Sequence, residues 1–264
     1  MCGRLILSVD MFPQAKKSFG QHFLKDRRVM KKIVDALEVK AGERVLEIGP
    51  GRGALTRALI EAGADVVAVE ADRDLIPILR EQFGDSLTLV KGDILKQHLP
   101  RIIESPYKLA SNLPYNIASA VVEQFLSSST PPRRMVVMVQ REVGERMIAR
   151  PGDMGLLSVA CQIYADITRV TRVLPGAFSP PPKVESLVVR LDYAPKTTHP
   201  ERVIALAKFG FASKRQQLQK NLARAHVAAS EDTKKALEFL GRSLGARAQE
   251  LSVEDWIQLA SLLM

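Results

Sequence analysis

Cysteine is nearly missing from this chain. Cys2 and Cys161 are the only two in 264 residues, and neither belongs to a CxxC pair. That argues against a disulfide framework. The four histidines, His22, His98, His199 and His226, stand at no ligand spacing, so no zinc site and no other metal is expected. A reduced, intracellular protein is the reading that follows. Long apolar runs are missing as well: residues 5–9 are far too short for a signal peptide or a membrane span. The protein is therefore read as cytoplasmic with no membrane partner. There is no internal repeat and no low-complexity tract. Acids are the scarcer charge, 29 against 38 Lys and Arg, which leaves a net +9. Such an excess suits a polyanionic partner such as nucleic acid, although a generic basic surface produces the same number. What is present is ordinary: 46% apolar and 25% charged residues describe a globular chain. Its length fits one large α/β domain with a small appendage, or two modest domains.

Residues 44–56 run from a β pattern through Gly49, Gly51 and Gly53 into a helical pattern at Ala54. Strand, glycine turn and helix in that order mark a dinucleotide-type fold, where missing side chains let a ligand approach the backbone. A second strand over 65–69 ends at Glu70, at a distance that suits a ribose diol, because one carboxylate accepts from both hydroxyls. A third, over 86–91, ends in Gly92 and Asp93. Glu47, Glu70 and Asp93 are thus expected at one edge of a parallel sheet, where ligands of open α/β folds bind. A nicotinamide dehydrogenase shares the glycine spacing, but a pyrophosphate is poorly matched to carboxylates. A ligand with positive groups, such as S-adenosylmethionine, fits them better.

Residues 108–111 read as a short buried strand that ends in Asn112, Leu113, Pro114 and Tyr115. Proline fixes its own φ and pushes Leu113 towards an extended conformation, so the turn holds its carbonyls in fixed directions. An amide oxygen and a carbonyl accept the two hydrogens of an exocyclic amine while a ring stacks on the base. The plainer reading of these four residues alone is a proline turn with a buried Tyr. Further on, residues 175–183 form a proline-stiffened loop that presents Phe178, either packed inward or as a second wall of a base pocket opposite Tyr115. Lys16 to Lys32 is strongly basic and leads into an amphipathic helix from Arg27, with either a solvated or a phosphate-contacting outer face. Residues 194–200 are polar and aperiodic and mark a domain boundary. Beyond them helices are expected at 201–212, 215–226, 232–240 and 253–263. Lys208, Lys214, Arg215, Lys220 and Arg224 form an acid-free basic stretch there, suited to RNA phosphates.

Taken together, the chain resembles the ribosomal RNA adenine dimethyltransferase family, and most of all its small-subunit, kasugamycin-type branch. The likeness rests on FGQHFL at 19–24, EIGPG at 47–51, VEADR at 69–73, GD at 92–93 and NLPYN at 112–116. QREV at 140–143, GLLSV at 155–159 and AFSPPPKV at 177–184 complete it, with a weaker match at SKRQQ 213–217. The resemblance implies a Rossmann-like S-adenosylmethionine-dependent methyltransferase with a seven-stranded, mostly parallel sheet and a small all-helical C-terminal domain. It divides the chain into a flexible leader at 1–17, a methyltransferase domain at 18–194 and a helical RNA-binding domain at 195–264. Cofactor contacts are implied at His22, Leu24, Gly49, Gly51, Glu70, Asp93 and Asn112, with Glu70 on the ribose and Asp93 on the adenine amine. Many relatives carry Asn at the position of His22. Catalytic roles are implied for Asn112, Leu113, Pro114, Tyr115 and Phe178. The implied reaction places four methyls on two adjacent adenosines near the 3′ end of small-subunit ribosomal RNA, within an assembling subunit, by a monomer. Rivals that share parts of this pattern are a large-subunit, resistance-type methyltransferase and a non-catalytic assembly or transcription factor.

Overall fold

The computed structural model describes residues 14–16 and 20–264. The expected leader, apart from residues 14–16, lies outside the described residues, as do Cys2, Lys17 and Phe19. By compactness the chain forms two units, each discontinuous in sequence: one runs to Arg141 and resumes at Arg169–Arg190, the other comprises Glu142–Thr168 and Leu191–Met264. A linear cut near 194 remains a proposal about domain organisation.

The first unit is built on β2 (Arg44–Ile48), β3 (Asp65–Glu70), β4 (Leu87–Lys91), β5 (Lys108–Asn112) and β6 (Arg134–Gln140). Their spatial order is β4-β3-β2-β5-β6, and every neighbouring pair is parallel. Two more strands, β9 (Ser186–Tyr193) and β7 (Ala165–Val173), extend this seven-stranded sheet beyond β6, with β7 at the edge. The strands read as unbroken apolar runs because both faces are covered. In β6, Met135 to Val139 are all fully buried. Helices α1 (Arg27–Leu37), α2 (Ala54–Glu61), α3 (Leu75–Phe83) and α4 (Ala118–Leu126) connect the strands. The α1 helix starts at Asp26, whose side chain accepts from the Arg28 amide, and buries Val29, Met30, Ile33 and Leu37 against the sheet. It ends at Glu38 in a left-handed conformation, where Arg134 and Arg190 hold the carboxylate at 2.6 Å each. A short strand β1 (Phe23–Leu24) pairs antiparallel with β8 (Phe178–Ser179) inside the proline-rich loop. That pairing had no periodic signal in the sequence.

From β2 the chain winds outward through β3 to β4 and then returns to β5 on the other side of β2. Between β2 and β5 the order reverses, and an open crevice forms at the carboxyl ends of the strands.

The second unit is helical: α5 (Arg141–Met147, from Glu142 on), α6 (Leu156–Gln162), α7 (Pro200–Gly210), α8 (Leu218–Arg224), α9 (Ser230–Phe239) and α10 (Val253–Leu263). Helix α6 packs on α7 and α10, so the 142–168 segment folds with the C-terminal helices. Trp256 is fully buried here. A methyl at Gly210 would stand 2.4 Å from the Trp256 ring, so only glycine allows this approach. The expected helix at 215–226 is shorter than the periodicity indicates. The buried Asn221 amide donates to the carbonyls of Gly210 (2.6 Å) and Ser213 (3.1 Å), which holds residues 211–217 as a turn. Lys214 and Arg215 ride on that turn, exposed. Among the described residues no helix is long and apolar enough to cross a membrane.

Candidate active site

A cavity of about 570 Å³ opens at the carboxyl ends of β2, β3, β4 and β5, entirely within the first unit. Its size is that of a small-molecule site. Each wall traces to a strand end: Ile48, Gly49 and Gly51 from β2, Glu70 from β3, Gly92 and Asp93 from β4, and Asn112 to Tyr115 from β5. Gln21, His22 and Phe23 line it from the segment that precedes α1.

The glycine turn is held by a carboxylate. Glu70 is 5% exposed; its two oxygens accept from the Gly51 amide (3.1 Å) and the Asp72 amide (2.8 Å). Each oxygen keeps a second lone pair for a ligand. Burial raises the Glu70 carboxyl above its ordinary value, and the backbone donors oppose that rise. Gly51 adopts φ +59°, and a Cβ there would stand 3.0 Å from the Phe23 ring. The absent side chain therefore serves two purposes, a left-handed turn and a close aromatic approach. Arg52 places its guanidinium 4.5 Å from the centroid of the same ring. Asp93 is part-exposed and accepts from the Leu95 amide at 3.1 Å.

The third expected acid is elsewhere. Glu47 is 2% exposed, lines no part of the cavity, and accepts from the Thr56 hydroxyl at 2.6 Å. Burial pushes its carboxyl up to about 8. Arg73 and Lys91, both exposed, reach the cavity too, so its acidic character is confined to the part that Glu70 and Asp93 line. One acid unassigned by the sequence reading ties the N-terminal segment down. Asp72 is 1% exposed and accepts from Lys16 (2.6 Å) and Gln21 (2.8 Å). Burial alone would raise it, but these donors outweigh burial and hold it below the usual carboxylate range. Its only sequence signal was a place in the VEADR run.

At the end of β5, the Leu113 amide donates to Met138 (3.1 Å) and the Ile117 amide to Pro114 (3.1 Å), which closes the turn before α4. The Asn112 side-chain amide donates to the His22 carbonyl at 2.9 Å. Its nitrogen being so engaged, the amide oxygen is the end left to accept. Tyr115 shares a hydrogen bond with Ser186 through its hydroxyl (2.8 Å), and burial raises that phenol. Its ring is stacked with His22, centroids 5.6 Å apart, and His22 in turn meets the Pro180 carbonyl through Nδ1 at 2.9 Å.

Of the expected site residues, His22, Gly49, Gly51, Glu70, Asp93, Asn112, Leu113, Pro114 and Tyr115 share this cavity. Leu24 and Phe178 do not. Leu24 is 7% and Phe178 1% exposed, and both belong to the core that α1 covers. They stand opposite each other in the β1/β8 pair, which turns both side chains inward. Phe23 lines the cavity where Leu24 was expected, and His22 faces Tyr115 where Phe178 was expected.

The donor set can be compared with S-adenosylmethionine, which has a flat base, a ribose diol and a cationic tail. Carboxylates at Glu70 and Asp93, the glycine backbone at Gly49 and Gly51, and apolar walls from Ile48, Val69 and Ile94 match those three parts.

Sequence and structure comparisons agree with this chemistry. The model of the family described as ribosomal RNA adenine dimethylase matches residues 13–264. A ribosomal RNA small subunit methyltransferase A of Thermosynechococcus vestitus is 42% identical over 261 residues, covering 95% of this chain and 97% of the relative. A protein of the same name from Dehalococcoides mccartyi is 40% identical and covers 93% and 87%. Among solved structures, the 23S rRNA methyltransferase ErmE superposes with a TM-score of 0.73 at 28% identity, over 91% of this chain and 99% of that one. A dimethyladenosine transferase from Plasmodium falciparum gives the same TM-score at 24% identity over 90% and 96%, a likeness of fold.

Proposed function

The chain belongs to the ribosomal RNA adenine dimethylase family, and from that we propose that it dimethylates N6 of two adjacent adenosines near the 3′ end of small-subunit ribosomal RNA. It is an S-adenosylmethionine-dependent RNA methyltransferase. When bound, S-adenosylmethionine supplies an electrophilic methyl on a sulfonium. Gly49 and Gly51 offer it backbone, Glu70 its ribose acceptor, Asp93 an acceptor for its adenine amine, and His22 a backbone contact.

The remaining chemistry falls to the Asn112–Tyr115 turn. An adenine amino group is a poor nucleophile, because its lone pair is delocalised into the ring. The Asn112 side-chain oxygen and the Leu113 carbonyl accept its two hydrogens, aim the nitrogen and stabilise positive charge as the new bond forms. Pro114 keeps that turn stiff. Tyr115 stacks on the extruded base, a contact worth on the order of 1–3 kcal/mol. No strong general base is needed, since the proton grows acidic as nitrogen is alkylated and leaves to water. The second methylation requires one acceptor contact to be dispensable.

The observation that carries this reading is the Asn112 amide, held through its nitrogen by His22 at 2.9 Å, in the same cavity as Glu70 and Asp93. We further assign the substrate to an assembling small subunit, the enzyme to the cytoplasm and its working form to a monomer. The test is incubation of unmethylated small subunits with a labelled methyl donor, followed by nucleoside mass spectrometry. Dimethyladenosine is expected; its absence would overturn the assignment. The likeness to ErmE, a 23S rRNA methyltransferase, makes large-subunit RNA the proper parallel substrate, and methylation there alone would favour the large-subunit reading.

A further inference from the structure

The first unit carries a second surface, beginning two residues along the chain from the cavity wall, that the chemistry above does not use. Phe23 lines the cavity. Two residues later, Lys25 is exposed, and Arg27, Arg28, Lys31 and Lys32 follow on the outer face of α1. Two contacts join the segment before this helix to the proline-rich loop, and a third joins the helix itself to edge strand β7. The Lys25 amide donates to Ala177 at 2.9 Å, Leu24 pairs with Phe178, and the Lys32 ammonium donates to the Thr171 hydroxyl at 2.9 Å. Edge strand β7 adds Arg169 and Arg172, and the proline-rich loop adds Lys183, all exposed.

The acids on this face are already engaged: Asp26 by Arg28, Asp35 by Lys31, and Glu185 by Arg172 and Arg141. Lys25, Arg27 and Lys183 have no ion-pair partner among the described residues. The loop also shows apolar side chains to solvent. Leu174 is 61% and Val184 46% exposed, and they are the exposed large hydrophobics of this unit among the described residues. Four prolines, at 175, 180, 181 and 182, stiffen the backbone that presents them.

Cations alone would suit any polyanion. Cations beside fixed apolar tips suit unpaired nucleotides, which offer phosphates and open base faces together, whereas a duplex hides its bases. The geometry points to a track for single-stranded RNA: the strand that leads out of the cavity lays its phosphates on Lys25, Arg27, Lys32 and Lys183 and rests a base on Leu174 and Val184. This inference rests on the RNA methyltransferase reading and names the path by which the substrate strand reaches the site.

The test compares wild type with the triple variant K25Q/R27Q/K183Q and the single variant L174S. A fluorescent unpaired RNA oligonucleotide and unmethylated small subunits serve as probes, and calorimetric binding of S-adenosylhomocysteine reports on the fold. In the triple variant, oligonucleotide affinity at 0.15 M salt falls about tenfold or more, and the log–log salt slope flattens by about two, close to the loss of three single-strand phosphate contacts. Cofactor binding is unchanged, and KM for the subunit rises while kcat does not fall. In L174S, affinity drops several-fold with the slope intact. The variant K25R/K183R retains wild-type binding. An unchanged slope in the triple variant, or a duplex that competes as well as the unpaired strand, overturns the track. Absence of methyl transfer by wild type would instead overturn the functional reading.

Discussion

Tyr115 and His22 are stacked on one another, with ring centroids 5.6 Å apart and planes inclined by 28°. A base sandwiched between two rings needs about 7 Å, twice an ordinary carbon contact. The His22 ring therefore occupies a face of Tyr115 that an incoming adenine would use, and stacking there is worth about 0.5–1.5 kcal/mol. His22→Ala removes the competing ring but keeps the carbonyl that holds Asn112. We expect KM for RNA to fall about two- to tenfold with little change in kcat, measured by steady-state methylation. A raised KM would mean that the imidazole swings aside and returns as the second wall.

Asn112 contributes an acceptor whose direction is set by its own amide nitrogen. Asn112→Ala is expected to lower single-turnover methylation about 10²- to 10³-fold, the usual cost of losing one preorganised transition-state hydrogen bond. S-adenosylhomocysteine affinity, read by calorimetry, should weaken only several-fold. Near-normal turnover would remove Asn112 from the mechanism.

Glu47 gives a pH signature. Buried on β2 against Thr56, it keeps its proton to about 8 in the folded chain, against an ordinary 4.5. Its contribution to stability is complete below about pH 4.5. It is lost as pH rises to about 8, because over that window the unfolded chain releases the proton and the folded chain does not. Glu47→Gln cannot titrate and still accepts from Thr56. Its melting temperature relative to wild type should rise by several degrees between pH 5 and pH 8, roughly the window of that titration. A constant difference across that range would show that Glu47 is ionised in the fold.

Lys214, Arg215 and Lys220 project from the second unit on the Asn221-pinned turn and α8. Replacing all three by Gln should weaken binding to small-subunit RNA and flatten its salt dependence by about two log units per log unit of salt. A filter-binding titration at four ionic strengths measures this, and an unchanged slope would mean these charges never meet phosphate.

Much of this was legible in the chain itself. Apolar runs bounded by glycine identified β2 and β3, and one that ends in a proline turn identified β5, because a strand buried on both faces has no polar side to interrupt the pattern. Gly51, Glu70 and Asn112 were legible for a related reason: a left-handed turn, a strand-end acid and a proline-stiffened amide are each set by local chemistry. Leu24, Phe178 and Glu47 were not. Which way each points depends on β1 pairing with β8 across more than 150 residues of sequence and on how deeply β2 and α2 bury Glu47 beside Thr56. Their type and position along the chain were compatible with the site, and only packing took them out of it. The same holds for His22 against Tyr115 and for the 142–168 segment, which joins helices that begin only at Pro200 and Val253. The amino-acid sequence by itself determined the parallel strands that carry the site, the turn chemistry and the charge. The tertiary structure decided which aromatic ring meets which, because burial and long-range pairing have no local signature.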